Sequence, residues 1–122
     1  MLGVGVEDRD GIIYMDGDGT SSNLPAGEKI NVKFNTIDTI LKILKLEYVD
    51  LLQINIEGDE YPLLENMLLS GLINKFKTIQ IQFHLGIEND VKRRNNIRQK
   101  LLLNGFKINF DYPFVWESWS KI

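Results

Sequence analysis

Two glutamates and the single histidine are the residues of this chain best suited to acid–base chemistry. Glu57 and Glu60 follow one apolar segment, and His84 lies near the end of a second. A carboxylate or an imidazole can accept a proton from a hydroxyl group, whereas the amide of Asn55 cannot. If the two segments are neighbouring parallel strands, these side chains meet at the carboxyl edge of a sheet. We therefore predict a catalytic set with Glu57 first, as a base or a substrate contact, His84 second, and Glu60 beside them.

Each of these residues also has a structural explanation, and both explanations stay open at this point. Glu57 could be a carboxylate bound by backbone N–H groups at a helix start, and His84 could be a half-buried strand histidine. Gln53 and Gln82 could simply hydrogen-bond inside the sheet with the other amides.

Three further groups of residues favour structural roles. Residues 16–20 read DGDGT, like the opening of a calcium loop, but Ser21 and Gly27 stand where such a loop needs glycine and glutamate. We therefore predict an acidic surface loop and no metal site. Trp116 and Trp119 could stack on a sugar, but at this spacing on a strand they point to opposite faces, so at least one belongs to the core.

A cluster of basic residues lies on one predicted helix. The pattern favours a solvated helix face over contact with a phosphate or an acidic sugar. Its members are Lys92, Arg93, Arg94, Arg98 and Lys100.

The elements that position the candidate site alternate between helix and strand after residue 35. Thr36 can cap a helix whose apolar stripe begins at Ile37, and further helices are predicted over Glu60–Ser70 and 89–103. Strands are predicted over 49–56 and 78–85. The predicted final strands, 106–110 and 114–119, form a hairpin that turns at 111–113. This alternation predicts an α/β fold with a mixed sheet: parallel strands, flanking helices and a C-terminal antiparallel hairpin.

The first 35 residues are predicted to hold strands and a loop. Strands are expected over 2–6, 12–15 and 29–34, with a turn at 8–11 in which Gly11 is free to take a positive φ. The strand over 12–15 then returns beside the first. Because the sequence contains no long linker, we predict a single domain over residues 1–122.

Composition limits the function classes. The chain of 122 residues is 43% hydrophobic and 25% charged, as in soluble globular proteins. Its net charge of -3 disfavours binding to nucleic acid or to an anionic membrane. It has no cysteine, no long apolar span and no basic signal region, so we expect a cytoplasmic protein.

One segment resembles a known family. Residues 49–60 read VDLLQINIEGDE, which is similar to the central signature of FkbM-type methyltransferases, Asp-Leu-Leu-Lys-Ile-Asp-hydrophobic-Glu-Gly-x-Glu. The order of other features agrees: Thr36-Ile37-Asp38 before a helix, Gln82-Phe83-His84 after the next strand, Asn104-Gly105-Phe106 before the hairpin, and residues 5–11 upstream. Gln53, Asn55 and Gln82 replace the charged residues that are usual in the family.

The resemblance implies the C-terminal half of a Rossmann-like methyltransferase fold, part of an O-methyltransferase that uses S-adenosylmethionine. The acceptor it implies is a hydroxyl of a glycan or a small metabolite. The family's N-terminal cofactor-binding half is expected to be absent, so we expect this chain to be inactive in isolation. Residues 3–8 weakly echo a glycine-rich cofactor turn, which makes Glu7 and Asp8 candidate cofactor-binding residues. The alternative is a non-catalytic binding or assembly domain with a degenerate methyltransferase fold.

The family fold also has a consequence for partners. The strand over 49–56 lies mid-sheet in the family and pairs there with the first strand. Without that neighbour, an apolar edge is left open, and open edges attract other strands. We therefore expect this edge to be covered by a missing N-terminal half, by the chain's own predicted strands over 2–6, 12–15 and 29–34, or by a homo-oligomer.

Overall fold

A computed structural model describes residues 2–5, 7–15, 21–22 and 28–122. The chain divides into two compact units, Met1–Lys45 and Leu46–Ile122. That residues 1–122 act as one domain stays a prediction. The elements in chain order are β1 (Leu2–Val4), β2 (Arg9–Met15), β3 (Ser21–Ser22), β4 (Glu28–Asn35), α1 (Ile37–Leu44), β5 (Val49–Ile54), α2 (Glu60–Ser70), β6 (Phe76–Ile81), α3 (Asp90–Leu103), β7 (Phe106–Tyr112) and β8 (Trp116–Lys121).

The first unit contains a four-stranded sheet in the order β1-β4-β2-β3. The prediction that the second strand returns beside the first was wrong, because β4 lies between β1 and β2. The predicted turn at Gly11 was wrong as well, since Gly11 lies within β2 opposite Val32. A Cβ atom at Gly11 would lie 2.4 Å from a ring carbon of Phe34, so the absence of a side chain makes room for that ring.

Helix α1 begins at the predicted cap. The Thr36 hydroxyl accepts a hydrogen bond from the Thr39 backbone N–H at 3.1 Å, which satisfies one of the free donors of the first turn. Ile37 and Leu41 are buried, while Leu44 at the end of the predicted apolar stripe is exposed.

The second unit is a mixed sheet in the order β5-β6-β8-β7. β5 and β6 are parallel, and β8 runs antiparallel to both β6 and β7. The predicted α/β class, the parallel strands and the terminal hairpin are therefore confirmed. The last strand, however, inserts between β6 and β7.

Alternating side chains of this sheet pack against α2 and α3. Ile54, Ile79 and Ile81 are buried, together with Trp119 and Phe106. From the helices, the buried apolar side chains are Tyr61, Leu63, Leu64, Met67, Ile97 and Leu101. Helix α2 has the predicted bounds, and Gly71 ends it with φ of 80°, a conformation that glycine adopts without steric cost.

Several strand boundaries differ from the prediction. β5 ends at Ile54 and β6 ends at Ile81, so Glu57 and His84 lie in the segments that follow the strands. The final turn follows Tyr112 instead of beginning at Asp111, because Asp111 still pairs with Glu117 in the ladder. No helix in the described part of the chain has the length and apolar character needed to cross a membrane.

Candidate functional site

The candidate site lies beyond the carboxyl ends of β5 and β6. Because these strands are parallel neighbours, with Ile54 opposite Ile81, the segments that follow them begin side by side at the same end of the sheet. Glu57 lies three residues beyond Ile54, and His84 three residues beyond Ile81. Glu60 is the first residue of α2. The structure thus brings the three predicted catalytic residues together; their roles stay predictions.

Glu60 is completely buried and organises the site. One carboxylate oxygen accepts the Gly58 backbone N–H at 2.8 Å. The other accepts the His84 backbone N–H at 2.6 Å and lies 3.0 Å from His84 Nδ1. A buried carboxylate is costly unless it is hydrogen-bonded, and these contacts compensate that cost. Glu60 therefore joins the segment after β5 to the segment after β6.

The contact with Glu60 also orients the imidazole of His84. An ionised carboxylate only accepts hydrogen bonds, so Nδ1 of a neutral ring carries the hydrogen and Nε2 is left as an acceptor. Nε2 lies 3.6 Å from Oε1 of Glu57, too far for a direct hydrogen bond. A half-exposed carboxylate and an unprotonated ring nitrogen therefore face each other, which suits them to bind or deprotonate a hydroxyl group.

Tyr61 also holds the backbone of His84 in place, and the sequence analysis did not identify it. Its hydroxyl donates a hydrogen bond to the His84 backbone carbonyl at 2.8 Å. Burial, followed by the nearby charge of Glu60, raises the pKa of Tyr61 to about 12, so the hydroxyl remains a donor at neutral pH. The adjacency of Glu60 and Tyr61 at a helix start was the only signal in the sequence, and it does not reveal contacts 23 residues away.

The turn that presents Glu57 has an unusual backbone. Glu57 has a φ of 54°, a region that non-glycine residues occupy at a cost of about 1–3 kcal/mol. Gly58 follows with φ of 105°, and a Cβ atom there would lie 2.4 Å from Ile87 Cδ1. Backbone strain of this kind clusters at functional sites. The same turn brings the Gly58 N–H to Glu60.

Polar residues occupy neighbouring positions in β5, in β6 and in the segments that follow them. Gln53 is opposite Gln80, and the Gln82 N–H donates to the Ile54 carbonyl at 3.0 Å. Gln53 and Asn55 are exposed, whereas Gln82 is half-buried. Asn55 contributes no base, as expected of an amide.

The prediction of a solvated face on α3 was wrong for Arg94, which belongs to a second charged cluster, whereas Lys92 and Lys100 are exposed. Arg94 is buried and donates to Glu117 at 2.7 Å and to Asp111 at 3.0 Å. Arg98 donates to the same Glu117 oxygen at 3.0 Å, and the other oxygen accepts the Trp119 indole N–H at 2.8 Å. The guanidinium groups of Arg94 and Arg98 are thus paired with carboxylates of the hairpin.

Helical spacing could have revealed this cluster. Arg94 and Arg98 lie one turn apart, on the side of α3 that carries the buried Ile97 and Leu101. Trp119 is a core residue, which agrees with the expectation that at least one tryptophan is buried, and Trp116 is half-buried.

The residues predicted to bind a cofactor lie in the first unit. Both carboxylate oxygens of Asp8 are engaged at the start of α1: one accepts the Thr36 backbone N–H and the other the Thr39 hydroxyl, each at 3.0 Å. Glu7 is exposed beside Arg9. The role of Glu7 and Asp8 in cofactor binding stays a prediction.

Metal ligands were not predicted. The described residues contain no group of three or more acidic, histidine or cysteine side chains placed to hold an ion. Residues 16–20, which resemble a calcium loop, lie outside the described residues.

Comparison with known proteins places most of the chain in one family. A family model described as the methyltransferase FkbM domain matches residues 11–108. This range includes the segments that carry Glu57, Glu60 and His84. The searches of curated proteins and of solved structures found no match.

Proposed function

Because the chain belongs to the FkbM methyltransferase family, we propose that it is the acceptor-binding part of an S-adenosylmethionine-dependent O-methyltransferase. We propose that the chain folds as the C-terminal half of a Rossmann-like methyltransferase. We also propose that the protein is located in the cytoplasm. The observation that carries this proposal is the buried Glu60, which holds His84 with Nε2 directed toward Glu57. The parallel arrangement of β5 and β6, with this cluster beyond their carboxyl ends, supports it.

In this proposal, the chain binds and deprotonates a hydroxyl group of a glycan or a small metabolite. The cofactor supplies an activated methyl group. His84 Nε2 accepts the hydrogen bond of the acceptor hydroxyl and removes its proton, and the carboxylate of Glu60 stabilises the resulting imidazolium. Glu57, which is partly open to solvent, accepts a hydrogen bond from a neighbouring hydroxyl and fixes the position of the acceptor.

The chemical state of His84 provides a direct test of this site. His84 is the single histidine of the chain, so its ring nitrogen signals in an NMR spectrum are unambiguous. We expect the neutral ring to carry its hydrogen on Nδ1. In the Glu60→Gln variant this preference should weaken, whereas in the control variant Glu65→Gln it should not change. A neutral ring that carries its hydrogen on Nε2 would contradict the proposed base.

Cofactor binding is tested separately by titrating the chain with S-adenosylmethionine, followed by calorimetry and by melting temperature. We propose that the isolated chain does not bind the cofactor and so does not transfer methyl groups, because Asp8 already accepts hydrogen bonds from the Thr36 N–H and the Thr39 hydroxyl. Saturable binding would overturn that point, because a ligand at a hundred times its Kd stabilises the folded state by about 2.7 kcal/mol. Loss of that binding in Asp8→Asn would then identify the first unit as the cofactor site.

The alternative function is a non-catalytic binding or assembly domain. In the part of the chain that the structure describes, β5 is an edge strand, which favours this alternative because such an edge is a place for strand addition. The two functions differ in one property: an assembly domain does not need the Nδ1-protonated form of His84.

A further inference from the structure

Strand β5 forms an edge of the sheet in the second unit. Among the described residues, no strand pairs with it on the side away from β6. The Ile54 carbonyl accepts the Gln82 N–H, so the backbone groups of Ile54 point toward β6. Because alternate residues of a parallel strand point to opposite sides, the N–H and C=O groups of Val49, Leu51 and Gln53 point outward. These are the groups that another strand would bind.

The two edges of this sheet differ in how they are protected. β7, at the other edge, has a register irregularity between Ile108 and Phe110 and carries the exposed Lys107. Bulges and lysines are features that prevent pairing between edge strands. β5 pairs with β6 without a bulge and has no basic residue. Leu51 is 52% exposed on this strand, and Leu46, Tyr48 and Ile56 are exposed around it. The exposed polar residues of the strand are Asp50 and Gln53.

We propose that this edge is where two copies of the chain associate, with β5 of each copy pairing antiparallel about a twofold axis at Leu51. Leu51 then packs on Leu51 of the second copy, and Val49 lies opposite Gln53. Each of these opposed pairs exchanges two backbone hydrogen bonds. The symmetric contact uses one surface patch twice, as most soluble homodimers do.

Charge favours this register over its neighbours. With Leu51 on the axis, Asp50 lies opposite an apolar Leu52, and Glu47 approaches the uncharged Asn55 of the other copy. Moving the axis to Leu52 would bring Glu47 toward Glu57, and moving it to Asp50 would place two carboxylates directly opposite each other. Like charges at opposed positions destabilise strand pairing. Of these three registers, the one centred on Leu51 therefore keeps the like charges of the two copies apart.

The association is tested by sedimentation of the full chain over a range of concentrations. We expect a dimer that Leu51→Lys weakens by at least about a hundredfold, since two ammonium groups would meet on the axis. Leu102→Lys is the matched control, because Leu102 is 51% exposed on α3 and Leu51 is 52% exposed on β5. The control should remain dimeric. A chain that is monomeric at all concentrations, or a dimer unaffected by Leu51→Lys, would overturn the proposal.

The register is tested by cross-linking, because the chain has no cysteine. In Leu51→Cys, two Cα atoms about 5.5 Å apart fall within the range that a disulfide spans. We expect an intermolecular disulfide under mild oxidation, and none in Leu52→Cys. Cross-linking of Leu52→Cys instead would overturn the proposed register.

Discussion

Two buried glutamates in the second unit differ in the charge of the groups that donate hydrogen bonds to them. Glu117 is bound by Arg94, Arg98 and the Trp119 indole. Glu60 is bound by two backbone N–H groups and the ring of His84. Glu117 is therefore matched by fixed positive charges, whereas the positive charge available to Glu60 exists only when His84 is protonated. The first arrangement holds a helix to a sheet; the second can take part in moving a proton.

The largest effect is expected from removing the charge of Glu117. In Glu117→Gln, Arg94 would stay buried with Asp111 as its one remaining carboxylate, and breaking a buried ion pair costs about 3–5 kcal/mol. We expect the free energy of unfolding, measured by urea denaturation with tryptophan fluorescence, to fall by about 3 kcal/mol. As a control, Glu65→Gln breaks the more exposed pair with Arg93 and should cost less than about 1 kcal/mol. Equal losses in the two variants would remove the distinction between the clusters.

A smaller stability loss is expected for Glu60→Gln. The amide nitrogen of glutamine would face either the Gly58 or the His84 backbone N–H, and an unsatisfied buried donor costs about 1–3 kcal/mol. We expect a loss of about 2 kcal/mol in urea denaturation, together with the altered His84 ring state described above. If Glu60→Gln changes stability but leaves the ring unchanged, Glu60 is a structural residue like Glu117.

Tyr61→Phe should cost about 1 kcal/mol at neutral pH, since it removes the hydrogen bond to the His84 carbonyl. Its pH dependence is more specific. The pKa of Tyr61 is raised to about 12 in the folded chain from 10.0, so between these values the unfolded chain loses its phenolic proton first. The stabilisation is complete below about pH 10 and is lost as the pH rises toward 12. Denaturation curves from pH 9 to 12 should show this additional decline in the wild-type chain and not in Tyr61→Phe.

The smallest effect is expected at Glu57. Glycine occupies positive φ without the steric cost that Glu57 bears, although it loses more backbone entropy on folding. The net result for Glu57→Gly should be a gain of about 0.5 kcal/mol, whereas Glu57→Ala should bring no gain because alanine keeps the Cβ atom. Thermal denaturation of the two variants measures the difference. A glycine variant less stable than the alanine variant would mean that the carboxylate, and not the backbone, decides the stability of this turn.

Local signals made much of the fold predictable from the sequence. Thr36 and Gly71 mark helix ends through their own backbone preferences, and helix α2 was predicted with its observed bounds. The proximity of Glu57 and His84 was predictable because each follows one of two parallel neighbouring strands, whose carboxyl ends lie side by side. The order of strands in the first unit was not predictable in this way, because the pairing of β1 with β4 depends on residues about 30 positions apart.

The site was harder to predict than the elements. Glu60 reaches back to Gly58 and across to His84, and no spacing rule specifies that combination. Arg94 was assigned to a solvated face because charged residues usually lie there, yet it is buried with Glu117. Burial of an arginine depends on a carboxylate 23 residues away, which only the folded sheet supplies.

The central position of β8 has a consequence for how the second unit folds. This last strand joins β6 to β7, with Trp119 opposite Ile79 on one side and Ile108 on the other. The hairpin with β7 involves neighbours in sequence and can form early, but joining β6 closes a loop of about 40 residues, which is slower. During synthesis on the ribosome, β5, β6 and β7 therefore emerge before the strand that unites them. Until then the edges of β6 and β7 that bind β8 stay unpaired, and unpaired strand edges favour aggregation.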